Sequence, residues 1–144
     1  MIALAVTSCF GPATPDGADF RSIAPTGWAY GDTLTFEPET TDSVSESRLA
    51  IAVRHTGAYL YSNLWLEIST PLPGDTARCI DTVNVVLADV YGRWRGRGSD
   101  VSRITTDTLP GERFVIKGRP VRIRHIMRAD TVRDIEQVGL MLVK

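Results

Sequence analysis

The stretch Asn63-Leu64-Trp65-Leu66-Glu67-Ile68 decides the fold. Leu64, Leu66 and Ile68 fall on one parity, and Asn63, Trp65 and Glu67 on the other. Successive side chains of a β-strand point to opposite faces, so the stretch reads as a strand with one apolar and one polar face. A helix would space its apolar residues three and four apart.

The same period recurs from about Phe20 to the end of the chain. Leu34 and Phe36 alternate with Thr33, Thr35 and Glu37; Leu49, Ile51 and Val53 alternate with Arg48, Ala52 and Arg54. Val83, Val85 and Leu87 follow, then Phe114 and Ile116. Val121, Ile123 and Met127 alternate with Arg122, Arg124 and Arg128, and Val138, Leu140 and Leu142 close the pattern. Gly, Pro, Asp, Ser and Thr separate these runs. About seven to eight short, half-buried strands predict an all-β fold, an antiparallel two-sheet β-sandwich. Helix signals are weak. Asp130-Thr131-Val132-Arg133-Asp134 is expected to cap one short turn before the last strand.

The chain has 144 residues, enough for one domain with a core of its own. Hydrophobic residues make up 43% and charged residues 23%, which excludes a disordered chain and a disulfide-dense mini-protein. Net charge is -1, so no nucleic-acid partner is implied. Of the 16 basic residues only Lys117 and Lys144 are lysine, which reads as a compositional habit rather than a binding signal. No apolar run is long enough to span a membrane as a helix.

The N-terminus carries a different signal. Residues 1–9 are small and apolar and end in Val6-Thr7-Ser8-Cys9, the pattern of a lipobox whose cysteine is lipidated. Lys and Arg are missing before Cys9, so the export signal is expected to begin upstream or to be shortened. Residues 10–19 hold Gly11, Pro12, Pro15, Asp16, Gly17 and Asp19 and read as a tether, with the sandwich domain over residues 20–144. The alternative is a short buried strand with a stray thiol. With Cys9 lipidated, Cys79 has no disulfide partner and is either a reactive thiol or a small buried apolar residue.

Residues that could carry chemistry are few. His55 continues the parity of Ile51 and Val53, and His125 that of Val121 and Ile123, so both are expected as hydrogen-bonded core side chains. No spacing supports a zinc site, and no cofactor is expected. A hydrolase would need one of these histidines in an open pocket beside a nucleophile or carboxylate. No nucleophile elbow, phosphate loop or dinucleotide fingerprint is present.

Asp89 to Asp100 is the most distinctive segment, with Gly92, Gly96 and Gly98 among Tyr91, Arg93, Trp94, Arg95 and Arg97. It reads either as a hairpin whose Trp94 folds back on the core or as a partner-binding loop using Tyr91, Arg93, Trp94, Arg95 and Arg97. Arg122, Arg124 and Arg128 line one strand, to pair with carboxylates or to solvate a sheet face. Trp65 is unusual in sharing the parity of Asn63 and Glu67, which sets it on the outer face or under a loop, and Trp28, Trp65 and Trp94 are each expected to be half buried. A glycan-binding module is an alternative if Trp28, Trp65 and Trp94 supply two coplanar, exposed rings.

Together these segments resemble the gliding-motility lipoprotein GldH family. In order they are the lipobox Cys9, Pro25 to Trp28 with the following Asp32-Thr33-Leu34-Thr35-Phe36-Glu37, Ala52 to Ile68, Asp81 to Gly98, and Val121 to Leu142. The resemblance covers about residues 20–144. Two departures are the missing charged start and Leu60, where a proline is usual. The resemblance implies a non-enzymatic lipoprotein accessory of gliding or its linked protein-secretion machinery, with lipid on Cys9. It implies membrane attachment, expected on the periplasmic face of the outer membrane, and envelope proteins as partners. It carries over no catalytic residue.

Overall fold

The structure, a computed structural model, describes residues 18–143; Cys9 and the tether up to Gly17 lie outside the described residues. Twelve strands run in chain order: β1 Asp19–Ser22, β2 Trp28–Ala29, β3 Leu34–Phe36, β4 Val44–His55, β5 Asn63–Pro71, β6 Arg78–Val86, β7 Arg97–Gly98, β8 Arg103–Thr108, β9 Arg113–Ile116, β10 Val121–His125, β11 Thr131–Val132 and β12 Ile135–Val143. All pairings are antiparallel, and no helix occurs among the described residues.

Two large sheets form the sandwich. One has the order β1-β12-β4-β8-β7, with β9 paired to the first part of β4; the other has the order β3-β10-β5-β6. Leu49, Ile51 and Val53 of the first sheet share one core with Leu64, Leu66 and Ile68 of the second. Each trio is the apolar parity of its strand, so the alternation in sequence became the inner face of each layer. β4 holds both pairing blocks. Its first residues, Val44 to Ser47, alternate in exposure and pair with β9, whereas Leu49 to Val53 are all buried between β12 and β8.

The strand count exceeds the expectation. β8 reads Arg-Ile-Thr-Thr-Asp-Thr, with Ile104 its one apolar side chain, so no apolar alternation reveals it. β1, β2, β7 and β11 run two to four residues, too short for a period to show.

The capped turn expected at Asp130–Asp134 is a correction. Thr131 and Val132 are β11, paired with Ala29 and Trp28 of β2 in a two-stranded ribbon. Burial of Val132 in the common core outweighs the local capping preference. The chain then turns into β12 through Asp134, at φ 69°. Asp134 is held there by Thr56, whose N–H donates to the Asp134 carbonyl at 3.0 Å and whose hydroxyl donates to the carboxylate at 3.0 Å.

Candidate functional site

The segment between β6 and β7 is a hairpin built around one carboxylate. Asp89 Oδ1 accepts the N–H groups of Tyr91 at 2.9 Å and Arg93 at 3.0 Å, and Oδ2 accepts Arg93 Nε at 3.0 Å. The Arg93 backbone N–H, helped by the Tyr91 N–H and the Arg93 guanidinium, holds the Asp89 carboxyl below its ordinary range. Gly92, at φ 81°, supplies the left-handed residue that the turn requires. Arg95 N–H donates to Leu87 O at 2.8 Å, and Ala88 and Trp94 form a bridge that closes the hairpin.

This arrangement divides the five predicted contact residues. Trp94 is half-buried and folds back onto the core, its ring 4.7 Å from that of His55. Tyr91, Arg93, Arg95 and Arg97 are exposed. The Arg93 guanidinium sits over the Tyr91 ring at 5.3 Å while bonded to Asp89, so its position is set within the loop. Gly96 lies against β8: a Cβ there would stand 2.6 Å from Ile104 O, which explains the glycine by close approach.

Both histidines are core side chains. His125 Nε2 lies 2.9 Å from Trp28 O, and its Nδ1 accepts Met127 N–H at 3.3 Å. His55 Nδ1 lies 2.9 Å from Thr56 O, while Nε2 is buried with no hydrogen-bond partner among the described residues. Burial is the main cause that holds both imidazoles below their ordinary pKa. Among the described residues, no group of three or more His, Cys, Asp or Glu is placed to hold a metal ion. Cys79 is free and half-buried, its thiol 3.6 Å from Asp81 Oδ2.

The tryptophan platform is not built. Trp28 is 1% exposed and Trp94 lies on the core, leaving Trp65, at 41%, as the exposed ring. Trp65 does take the outward parity that its neighbours predict. It lines an open groove of about 500 Å³ with Tyr61, Thr82, Ile126, Met127 and Arg128. Trp65 N–H donates to Met127 Sδ at 3.2 Å, which fixes the groove floor. Beside it, Arg124 makes a two-point contact with Glu67 at 3.0 and 3.1 Å and lies over Tyr30. That hydrogen-bonded contact lowers the Glu67 pKa. Arg122 and Arg128 are exposed, as a solvated sheet face would have them.

Comparison with protein families matches residues 18–142 to the GldH lipoprotein family. The chain belongs to the GldH lipoprotein family. The match spans every strand from β1 to β11 and all of β12 but Val143. No curated protein and no solved structure matches the chain. The hairpin of this GldH-family lipoprotein was visible in sequence through its glycines and arginines. The groove was not, because Tyr61, Trp65 and Met127 come from separate segments and only Trp65, by its parity, gave a signal.

Proposed function

We propose that this chain is a lipid-anchored, non-enzymatic accessory of the cell envelope, acting in gliding or its linked protein-secretion machinery. The match of residues 18–142 to the GldH lipoprotein family carries the reading. The lipobox Val6-Thr7-Ser8-Cys9 supplies the anchor, and the short Gly- and Pro-bearing tether leads to β1. Several acyl chains on one cysteine hold a protein at a membrane, whereas one holds it marginally. The periplasmic face of the outer membrane is the proposed location, with envelope proteins as partners. A role in holding rather than converting a partner accords with two histidines sealed into the core. The exposed Tyr91, Arg93, Arg95 and Arg97 are proposed as contact residues, with Trp94 fastening the loop to the body.

Replacing the lipidated cysteine tests the anchor. Cys9→Ala should move the protein from the membrane to the soluble fraction and abolish labelling by palmitate, with the fold unchanged. Membrane attachment persisting without label would overturn the anchor.

A further inference from the structure

β6 is an open edge. It ends the β3-β10-β5-β6 sheet, and no backbone hydrogen bond joins its outer side to another described segment. The ladder to β5 shows which groups face outward. Leu87 N–H donates to Ser62 O, and Leu72 N–H to Ala77 O. In an antiparallel ladder hydrogen-bonded pairs alternate, so Cys79, Asp81, Val83 and Val85 bond to β5. Trp65 agrees from the other side: its N–H goes to Met127 Sδ and its O accepts Ile126 N–H, so Trp65 and its partner Asn84 form a non-bonded pair. The N–H and C=O groups of Ile80, Thr82 and Asn84 therefore point into the open edge.

Natural sheets blunt such edges with short strands, lysine, proline or bulges. The strands β1, β3, β7 and β9 follow that rule at four, three, two and four residues. β6 departs from it in length, with nine residues, no Pro or Lys, and an unshifted register from Asn63↔Val86 to Pro71↔Arg78; the device it keeps is Asp81, a charge on its inward parity. Ile80 on this edge is 62% exposed. The edge also borders a slot of about 350 Å³, walled by Asp81 to Asn84 on one side and by Asp107 to Pro110 and Arg113 on the other.

We infer that the β6 edge binds an extended segment of a partner protein, added as a further antiparallel strand, with basic and aliphatic residues alternating along it. The backbone groups of Ile80, Thr82 and Asn84 would supply main-chain hydrogen bonds, and side chains of alternate parity would set specificity. Asp81 and Asp107 line the slot, and Arg113 balances Asp81 with an ion pair at 3.0 Å, so a basic side chain suits the inner parity. The aliphatic parity would lie beside the exposed Ile80. A second copy fits less well. Antiparallel self-pairing centred on Ile80, Asp81 or Thr82 places the two Asp81 carboxylates opposite or diagonal to each other, where like charges destabilise.

The inference rests on the reading of the chain as a partner-holding protein, but its test needs neither lipid nor membrane. Failure therefore leaves the anchored-accessory reading standing. The test is amide hydrogen exchange, read by NMR on the full chain carrying Cys9→Ala. The probes are a peptide of alternating Val and Lys, the same peptide N-methylated on its edge-facing amides, and a peptide of alternating Val and Glu. In the free chain Ile80, Thr82 and Asn84 should exchange faster than Asp81, Val83 and Val85. The Val–Lys peptide should slow the first three at least about tenfold, and the other two peptides should not. Thr82→Pro, which removes an N–H that the fold does not use, should keep the melting temperature and lose this protection. No protection, or equal protection by the N-methylated peptide, overturns strand addition. Equal protection by the Val–Glu peptide overturns the basic partner. Protection that grows with protein concentration alone makes the occupant a second copy and also overturns the inference.

Discussion

His55 and His125 continue the inward parity of their strands, yet their rings are satisfied differently. Both nitrogens of His125 are engaged, by Trp28 O and Met127 N–H. Among the described residues His55 Nε2 is buried and unpartnered, and the acceptor of its Nδ1, Thr56 O, also receives Tyr59 N–H at 3.4 Å. Removing a buried polar group costs most when its partner is left alone, and little when none existed. His55→Phe is therefore expected to change stability by less than about 1 kcal/mol, since the ring keeps its tilted contacts with Trp94 and Tyr59. His125→Phe strands Met127 N–H and should cost about 1–3 kcal/mol. Urea unfolding of both variants checks the contrast; equal losses would show that ring volume, not hydrogen bonding, governs these sites. The parity of both residues could be read in sequence. Which nitrogen finds a partner could not, because Trp28 lies far away in the chain.

At the scale of elements, β1 is held to its sheet by an aromatic ring set over a glycine. Phe20 pairs with Gly139 across β1 and β12, and a Cβ on Gly139 would stand 2.7–2.9 Å from three atoms of that ring. Gly139→Ala should displace Phe20 and cost about 1–3 kcal/mol. Faster amide exchange in β1 than in β4 would locate the damage, and unchanged exchange in β1 would contradict it. The glycine–arginine hairpin behaves differently. Arg93, Arg95 and Arg97 are exposed, and the ion pair of Arg93 with Asp89 is a surface pair worth little. Replacing all three with Ala should leave the melting temperature nearly unchanged, as exposed substitutions usually do. Capture of an envelope partner should fall at least about tenfold if this loop supplies the anchor contacts. A large drop in melting temperature would instead make the arginines structural.

For the molecule as a whole, the last strand is central. β12 lies between β1 and β4, so the first sheet is completed only when the C-terminal residues arrive. A chain truncated after Asp134 should fail to fold, seen as loss of amide dispersion in its NMR spectrum. A dispersed spectrum would show that β4 and β8 are stable without β12. Stability should also depend on pH. Both histidines are held below their ordinary value of 6.5 in the folded chain, chiefly by burial. Above that value neither state takes up the proton. As pH falls below it the unfolded chain binds protons that the folded chain refuses, so stability falls. Glu67 adds a loss of the same sign only near and below its ordinary 4.5. The melting temperature should therefore fall between about pH 7 and about pH 5. His55→Phe, with one titrating site fewer, should flatten that slope; an unchanged slope would assign it to other groups.

Sequence by itself determined what a local period can carry. The parity of Leu64, Leu66 and Ile68 named the inner face of β5, and the same reading put His55 and His125 inside and Trp65 on the opposite parity, with the structure deciding that its ring is exposed. The glycines and arginines after Leu87 marked an exposed hairpin, and the family resemblance lay in motifs that can be read along the chain. Tertiary structure decided which strands pair. Thr131-Val132 became a strand because Trp28 and Ala29 waited beside it, and Thr-rich β8 became one because β4 offered a free side. Pairing also left β6 as the long open edge and set Tyr61, Trp65 and Met127 around one groove. The physical reason is range. Side-chain alternation is a property of neighbours two residues apart, whereas strand order is fixed by burial and hydrogen bonding between segments tens of residues apart, which no local pattern encodes.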